Sequence, residues 1–371
     1  MRIVFTAGGT GGHINPALAA AGEIKRRHPD AEILFIGAKD RMEATLVPNA
    51  GFRLETVKIS GFYRKISIKS LIGNIQTVYH IALSSVQVKK ILRDFNPDVV
   101  VGFGGYASGP AVRTAAKMGI KTAIHEQNAY PGVTNKTLAK YVDVVMLTNA
   151  EAKKYLTCKN EPVVTGLPVR NEILDADREL SRTELHIADD EILILSMGGS
   201  QGAKIINKNI AGMITNLWRD KRLVFIHATG SYGKEWMPQM LRDAGVEIGG
   251  NVRILEYINN MEVCLPAADI VISRAGASSL SEIEALGKTS ILIPSPNVAE
   301  NHQFHNAMAL VNNGAAEIIE EKDLTPELLT EKVSDLIENS EKRLEIGRNA
   351  LKMAMPESKQ IICDLIEKLA D

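Results

Sequence analysis

The chain has 371 residues, 45% of them hydrophobic and 23% charged, and its formal net charge at pH 7 is -1. This length predicts two domains, and the composition is typical of an ordinary globular protein. The balanced charge gives no support to a nucleic-acid partner, so we expect none. The three cysteines, Cys158, Cys264 and Cys363, are widely spaced, which argues against a disulfide framework or a structural zinc and fits a reducing cytoplasm.

The sequence gives no sign of a secretory or membrane-spanning segment. Met1 leads directly into the first predicted strand, residues 3–5, which leaves no room for a signal peptide. No apolar run approaches the roughly 20 residues that span a bilayer. We therefore expect the protein to act from the cytoplasm, on soluble material or at a membrane surface.

The first motif is a glycine-rich turn between a predicted strand and a predicted helix. Four glycines flank Thr10, and a helical pattern begins at residue 17. Glycines let the backbone approach a ligand closely, and the amides at the start of a helix favour an anion. A tight turn without a ligand would need only one or two glycines. We therefore interpret residues 8–12, with His13 directly after them, as a binding loop.

A segment of the first half is a candidate membrane patch. Residues 61–83 mix cations with large apolar side chains, which is the composition of a surface that binds anionic lipid. An ordinary amphipathic helix with its apolar face in the core explains the pattern equally well. The predicted patch consists of Phe62, Arg64, Lys65, Ile68, Lys69, Leu71 and Ile75.

A second glycine-rich turn occupies residues 102–110. Within it, Gly102, Gly104 and Ala107 match the dinucleotide-binding fingerprint, and Glu126 follows near the position of a ribose-binding acid. A dinucleotide-dependent oxidoreductase is therefore an alternative. It is the weaker one, because the turn does not belong to the first β-α-β unit.

Both glycine-rich themes return in the second half of the chain. The strand and turn of residues 191–203 repeat the opening motif, and residues 268–294 parallel residues 97–124. Such repetition predicts an α/β fold of two doubly wound, parallel-sheet, Rossmann-like domains that face each other across a cleft.

The change of pattern at residues 164–170 places the link between these domains. We expect an N-terminal domain over residues 1–165 and a C-terminal domain over residues 166–353. The apolar helical run at the end of the chain, within residues 354–371, is expected to cross back onto the first domain. A polar stretch, residues 175–190, is expected to be a solvated linker.

The second half offers candidate ligands for a nucleotide diphosphate. The turn at residues 198–202 can present backbone amides and a hydroxyl at a helix start, and Arg170 is a fork-shaped phosphate partner. Glu282 could accept bonds from ribose hydroxyls, and the amides and imidazoles of residues 301–306, including Gln303, suit a sugar. Taken singly, Arg170 would be interpreted as an exposed surface cation, and Glu282 could also be a solvated helix residue.

His13 is the leading candidate for a general base. Its imidazole titrates near neutral pH, so it could take a proton from a sugar hydroxyl as that oxygen attacks. The alternative is a histidine that only caps or packs. Glu126 is the second candidate, because it lies in a polar run, residues 125–128, at the predicted end of a strand.

Other chemistries have little support. Asp175 and Asp177 form a D-x-D pattern, but in a predicted linker rather than after a strand, so we expect neither a metal nor another cofactor. The sequence contains no P-loop motif and no G-x-S-x-G elbow, which argues against P-loop NTPases and Ser-His-Asp hydrolases.

The motifs together resemble one family, MurG, the bacterial peptidoglycan N-acetylglucosaminyltransferases. The resemblance runs from residue 1 through the C-terminal helix, in the family's order. The segments that carry it are Gly8-Gly-Thr-Gly-Gly-His13, Pro16-Ala-Leu18, Gly104-Gly-Tyr-Ala-Ser108, His125-Glu-Gln-Asn128, Gly198-Gly-Ser-Gln-Gly-Ala203, His302-Gln303 and Asn306-Ala.

This resemblance implies a GT-B glycosyltransferase that moves GlcNAc from UDP-GlcNAc to the C4 hydroxyl of the muramoyl sugar in lipid I. The product would be lipid II, formed with inversion at the anomeric carbon and without an obligatory catalytic metal. It also implies peripheral attachment to the cytoplasmic face of an anionic membrane surface. Two further alternatives are a related enzyme with another lipid or natural-product acceptor, and a non-catalytic nucleotide-sugar sensor.

The resemblance also assigns roles residue by residue. Thr10, Gly11 and Gly12 would contact the donor sugar region or the acceptor diphosphate, and the acceptor loops would include Gly104, Gly105, Tyr106 and Ser108. For the donor, Asn128 would bind GlcNAc, Arg170 and Ser200 the diphosphate, Ile258 the uracil, Glu282 the ribose and Gln303 the sugar hydroxyls. Leu167 stands where the family usually has an asparagine, which puts only that polar contact in doubt.

Overall fold

The computed structural model describes residues 1–59, 83–199 and 201–371. The predicted membrane patch and Ser200 lie outside these residues. The chain divides into two compact units, the first formed by Met1–Pro168 with Glu357–Asp371 and the second by Val169–Pro356.

The first unit is built on a seven-stranded parallel sheet with the order β3-β2-β1-β4-β5-β6-β7. Its strands are β1 (Arg2–Thr6), β2 (Glu32–Ala38), β3 (Arg53–Val57), β4 (Val99–Gly102), β5 (Lys121–Glu126), β6 (Val144–Leu147) and β7 (Val163–Val164). Its first helices are α1 (Gly11–Arg27), α2 (Glu43–Asn49), α3 (described over 83–95), α4 (Ser108–Lys117) and α5 (Val133–Leu138), with a 3-10 helix at Ala150–Tyr155.

The second unit has a six-stranded parallel sheet with the order β10-β9-β8-β11-β12-β13. Its strands are β8 (Ile192–Met197), β9 (Leu223–Ala228), β10 (Val252–Leu255), β11 (Ile270–Ser273), β12 (Thr289–Leu292) and β13 (Glu317–Ile318). Its helices are α6 (Asn171–Leu174), α7 (Arg178–Glu184), α8 (Lys204–Leu217), α9 (Trp236–Asp243), α10 (Met261–Ala267), α11 (Ala277–Ala285), α12 (His302–Val311), α13 (Pro326–Glu338) and α14 (Ser340–Met353), with a 3-10 helix at Ala299–Asn301.

The two sheets share one topology. In each, the first strand in sequence is third in the order, with the second and third strands of that sheet on one side of it and all later strands on the other. The strands are short apolar runs because helices cover both faces of a doubly wound sheet, and Ile3, Val4 and Phe5 of β1 are fully buried. The predicted fold class, two doubly wound parallel-sheet domains, is confirmed.

One expectation about local structure is wrong. The polar stretch 175–190 is not only a linker, because it contains helix α7. Asp177 is the N-cap of this helix, and its carboxylate accepts a hydrogen bond of 2.8 Å from Leu180 N. The second aspartate of the D-x-D pattern therefore has a capping role.

The C-terminal helix α15 (Ser358–Ala370) belongs to the first unit. Ile362, Cys363 and Ile366 are fully buried in the apolar core that includes α1. Arg27 of α1 also donates to Asp364 at 2.6 Å. The helix is thus fixed to α1 by both apolar packing and an ion pair. Among the described residues, no helix has the combination of length and apolar composition that crossing a bilayer requires.

Candidate functional site

In the first unit, the turn after β1 presents a helix start with open backbone donors. Thr10 is the N-cap of α1, with extended backbone and no capping bond from its side chain. Its carbonyl accepts from the amides of His13 and Ile14 at 3.1 and 3.2 Å. The amides of Gly11 and Gly12 have no hydrogen-bond partner within the described chain. A helix start of this kind can bind an anion or another acceptor-rich group.

His13 lies in the first turn of α1 and is partly exposed. Its Nδ1 is 3.1 Å from Thr10 Oγ1 and 3.2 Å from the carbonyl oxygen of Gly8. With the proton on Nδ1, both contacts can be hydrogen bonds, because a carbonyl can only accept and a hydroxyl can also accept; the lone pair is then on Nε2. This tautomer is the one in which Nε2 can act as a base.

The turn after β4 packs directly against the turn after β1. Gly104 and Gly105 have φ values of +95° and +85°. A Cβ at Gly105 would lie 2.2 Å from the carbonyl oxygen of Gly8, and one at Gly104 would lie 2.8 Å from His13 Cδ2. Glycine is therefore required at both positions by backbone conformation and by space. The two turns form one surface, beside which Tyr106 is 53% exposed.

Ser108 lies at the end of the turn after β4, where α4 begins. Its side chain is fully buried, and its Oγ lies 2.9 Å from Thr6 O and 2.7 Å from Gly104 O. It joins the end of β1 to the second turn. Its hydroxyl therefore supports the predicted acceptor loop from inside.

Glu126, the second candidate base, is only 1% exposed. Oε1 accepts from the backbone and side-chain nitrogens of Asn128 at 2.9 and 3.1 Å, and Oε2 accepts from Gly132 N and Asn135 Nδ2 at 3.1 and 2.8 Å. Burial raises the pKa of Glu126, and these hydrogen bonds oppose that rise. Both oxygens are occupied by its own loop, which argues against a role as base and for one in holding Asn128.

In the second unit, the turn at residues 198–203 precedes α8 and packs on the turn after β9. Gly202 has a φ of +77°, and a Cβ there would lie 1.9 Å from the carbonyl oxygen of Thr229. Gly230, with a φ of +63°, is equally constrained by Gln201. This close backbone packing fixes the position of the turn, within which Ser200 lies outside the described residues.

A buried polar chain supports the same turn. Ser196 Oγ lies 2.8 Å from Nδ1 of His227, whose Nε2 lies 3.2 Å from Asn207 Oδ1. Asn207 Nδ2 donates to Thr229 O at 2.7 Å. His227 is fully buried, and burial lowers its pKa to about 3. The chain is therefore neutral and links β8, β9 and α8 beneath the turn.

Arg170 and Glu282, predicted separately as phosphate and ribose ligands, form an ion pair. Arg170 Nε donates to Glu282 Oε1 at 3.0 Å, with the arginine side chain 50% exposed and the glutamate 17%. Burial raises the pKa of Glu282, and Arg170 opposes the rise. The terminal nitrogens of Arg170 make no contact within the described residues. They are the groups that could hold a diphosphate bidentately.

Gln303 lies in the first turn of α12. Its Oε1 accepts from Ser295 N at 2.8 Å, which leaves the amide nitrogen as a donor for a sugar hydroxyl. The preceding residues Glu300 and Asn301 have left-handed φ values of 53° and 50°, an uncommon conformation that often occurs at functional sites.

Ile258 and Leu167 are almost fully buried. They are 3% and 2% exposed, so any contact of Ile258 with a ligand would have to use its backbone. Leu167, which stands where the family usually has an asparagine, is thus a buried side chain.

Sequence analysis missed the buried polar residues that hold the turns: Glu43, Asn207 and His227. Each looks like an ordinary helix or strand residue in the sequence, because its partners are brought to it only by the fold. One feature of the sequence did indicate close packing here. Gly37 is a glycine inside strand β2, and the side chain of Glu43 packs against it.

The candidate residues of each unit gather at the carboxyl ends of adjacent parallel strands. In the first unit they follow β1, β4 and β5, and in the second they follow or flank β8, β11 and β12. The strand order reverses between β1 and β4, and again between β8 and β11. Doubly wound sheets bind ligands at such switch points.

Known proteins are similar to this chain in sequence and in fold. The glycosyltransferase family 28 N-terminal domain matches residues 3–147, and the glycosyltransferase family 28 C-terminal domain matches residues 193–362. The chain is 42% identical over 371 residues to the UDP-N-acetylglucosamine–N-acetylmuramyl-(pentapeptide) pyrophosphoryl-undecaprenol N-acetylglucosamine transferase of Desulforamulus reducens, across 100% of this chain and 99% of the relative. The protein of the same name from Acetivibrio thermocellus is 42% identical over 369 residues, across 100% and 98% of the two chains. The crystal structure of Acinetobacter baumannii MurG matches with a TM-score of 0.83 and 28% identity over 99% of each chain.

Proposed function

The chain belongs to the MurG family of N-acetylglucosaminyltransferases, within glycosyltransferase family 28, and from this premise we propose the reaction that it catalyses. It transfers GlcNAc from UDP-GlcNAc to the C4 hydroxyl of the MurNAc-pentapeptide of lipid I, releasing UDP and forming lipid II with inversion. The observation that carries the proposal is the 42% identity to transferases of that name along the whole chain.

The second unit supplies the donor side of the reaction. The nucleotide diphosphate would lie on the turn at residues 198–203, with Ser200 and the terminal nitrogens of Arg170 as partners. The ribose would lie at Glu282, the uracil at the backbone of Ile258, and the sugar hydroxyls at Gln303. Because departure of UDP develops negative charge, these donors stabilise the transition state more than the ground state.

The first unit supplies the acceptor side. Thr10, Gly11 and Gly12 would contact the donor sugar region or the acceptor diphosphate, through the open amides at the start of α1. Nε2 of His13 would remove the proton from the C4 hydroxyl as that oxygen attacks the anomeric carbon. Asn128, held by Glu126, would bind the donor GlcNAc.

The acceptor of this reaction carries an undecaprenyl chain, so the enzyme must reach a membrane surface. We propose peripheral attachment to the cytoplasmic face, through the basic and apolar residues of the patch between Phe62 and Ile75. Its composition supports this proposal, since cations attract anionic lipid and large apolar groups enter the interface.

The decisive experiment measures UDP release from UDP-GlcNAc with and without a lipid I analogue. We expect rapid release only when the acceptor is present, together with a disaccharide product. Binding of UDP-GlcNAc without UDP release in the presence of the acceptor would instead indicate a nucleotide-sugar sensor. Release with a different acceptor and none with lipid I would identify another glycosyltransferase of the same fold.

A further inference from the structure

The carboxylate of Glu43 is buried between the ends of two strands of the first unit. It lies in the first turn of α2 and is only 1% exposed. Oε1 accepts from Ala38 N at the end of β2 at 2.9 Å, and Oε2 accepts from Gly9 N in the turn after β1 at 3.2 Å. It has no cationic partner within the described residues. Two backbone donors therefore hold a single carboxylate.

The backbone around Glu43 packs closely against this side chain. A Cβ at Gly8 would lie 2.4 Å from Glu43 Oε1, and a Cβ at Gly37 would lie 2.6 Å from Glu43 Cγ. The turn after β1 and strand β2 thus each have a glycine where the glutamate side chain passes. Such a fit fixes the Gly8–Gly9 peptide relative to β2.

The same peptide reaches His13 from its other side. Gly9 N donates to Glu43, and the carbonyl of Gly8 lies 3.2 Å from His13 Nδ1. Movement of this peptide would remove the acceptor that places the proton on Nδ1. A metal-binding histidine is oriented in the same manner, since the partner of one ring nitrogen decides the state of the other.

We propose that Glu43 is a positioning residue for the transfer reaction: it fixes the Gly8–Gly9 peptide, whose carbonyl accepts from Nδ1 of His13 and so keeps the lone pair of the proposed base on Nε2. This inference rests on the proposed function of His13. Glu43 itself does not touch substrate, and it acts only through the turn.

The test uses the full chain and the near-isosteric variant Glu43→Gln. The amide oxygen of glutamine can accept a hydrogen bond from one of the two backbone N–H groups. Its NH2 group is then turned toward the other N–H group, and because two donors cannot pair, the Gly8–Gly9 peptide must move. We expect kcat to fall at least tenfold and KM for UDP-GlcNAc to change much less, because the proposed ligands of the nucleotide belong to the second unit. With histidine labelled in its ring nitrogens, 15N chemical shifts should show the Nδ1–H tautomer of His13 in the wild type and its loss in Glu43→Gln.

Glu23→Gln is the matched control, since Glu23 is a buried carboxylate of α1 that pairs with Arg26 and Arg27. It should lower the melting temperature without changing kcat or the His13 signal. Unchanged kcat and an unchanged His13 tautomer in Glu43→Gln would overturn the inference.

Two further measurements test the role of Glu43 even if Glu43→Gln does not fold or if His13 is not the base. If Glu43→Gln does not fold, hydrogen exchange in the wild type still decides, because the Gly9 amide must exchange slowly if Glu43 holds it, and fast exchange overturns the inference. If His13→Ala retains full activity, the proposed base is wrong, whereas the 15N shifts still report whether Glu43 sets the tautomer.

Discussion

Arg170 Nε donates to Glu282 Oε1 at 3.0 Å, so the two side chains predicted to bind the diphosphate and the ribose of the nucleotide are held by each other. The pair is part-exposed, and a ligand could take the free terminal nitrogens of Arg170 without breaking it. Glu282 also keeps Oε2 for a ribose hydroxyl. The ion pair therefore prepares both groups for one ligand.

Loss of Glu282 should weaken donor binding. In Glu282→Ala, the ribose loses an acceptor and Arg170 loses the partner that orients it. Removing one hydrogen bond to a charged group costs about 1.5–3 kcal/mol, so we expect KM for UDP-GlcNAc to rise by one to two orders of magnitude. Titration with UDP by calorimetry checks this directly. Glu317→Ala, which breaks an ion pair with Lys332 in the same unit, should leave KM unchanged, and equal effects of the two variants would count against the assignment.

Loss of His13 should affect chemistry rather than folding. A general base contributes about 10²- to 10⁴-fold to a rate, and we expect kcat of His13→Ala to fall by that range with a melting temperature close to the wild type. His28→Ala is the control, because His28 is an exposed histidine at the other end of α1. The rate of steady-state UDP release at saturating substrate concentrations distinguishes His13→Ala from His28→Ala. Normal turnover of His13→Ala would show that another group is the base.

Asn207 should be essential for the turn at residues 198–203. Asn207→Ala leaves Nε2 of His227 and the carbonyl of Thr229 without their present partners, both in a buried site. Each orphaned group costs about 1–3 kcal/mol. We expect a lower unfolding free energy in urea and weaker UDP binding together. Asn216 lies on the exposed side of α8, where it donates to Thr330, and Asn216→Ala should change neither the unfolding free energy nor UDP binding. Equal effects of the two variants would show that Asn207 does not support the turn.

The sequence allowed the architecture to be predicted because it depends on patterns that are local. Short apolar runs become strands such as β1, and glycine turns mark where they end. The repeated order of these motifs along the chain indicated two domains of one topology. His13 and Arg170 were also recognisable, since each stands next to such a turn or at the domain link.

The supporting residues could not be predicted, because their partners are distant in the chain. Glu43 meets Gly9 only after β2 has paired with β1, and Ser108 meets Thr6 only after β4 has paired with β1. Glu126 looked like an accessible acid at a strand end, whereas the loop that follows it folds back over both its oxygens. Burial of a polar group is a tertiary property, and no spacing rule reveals it.

The membrane patch gives a prediction that separates lipid binding from catalysis. Charged substitutions at Ile68, Leu71 and Ile75 should reduce binding to anionic vesicles at least tenfold, because apolar side chains contribute to interfacial binding by leaving water. Activity on a soluble acceptor analogue should be retained. Vesicle sedimentation measures the first quantity and UDP release the second. Leu351→Glu, at an exposed leucine of α14, is the control. Unchanged vesicle binding in the triple variant would show that the three residues do not bind lipid.

The buried carboxyl of Glu284 should make the free energy of unfolding depend on pH. Burial raises its pKa to about 8, from an ordinary value of 4.5, and it has no hydrogen-bond or ionic partner among the described residues. A carboxyl whose folded-state pKa is raised stabilises the fold fully below the unfolded value and loses that contribution as the pH rises toward 8. Glu284→Gln keeps the shape without the charge, so it should raise the unfolding free energy at pH 8 by on the order of a few kcal/mol and leave it nearly unchanged at pH 4.5. Urea unfolding at the two pH values tests this, with the exposed Glu345→Gln of α14 as the control. Equal effects of Glu284→Gln at both pH values would show that the side chain is solvated in the folded protein.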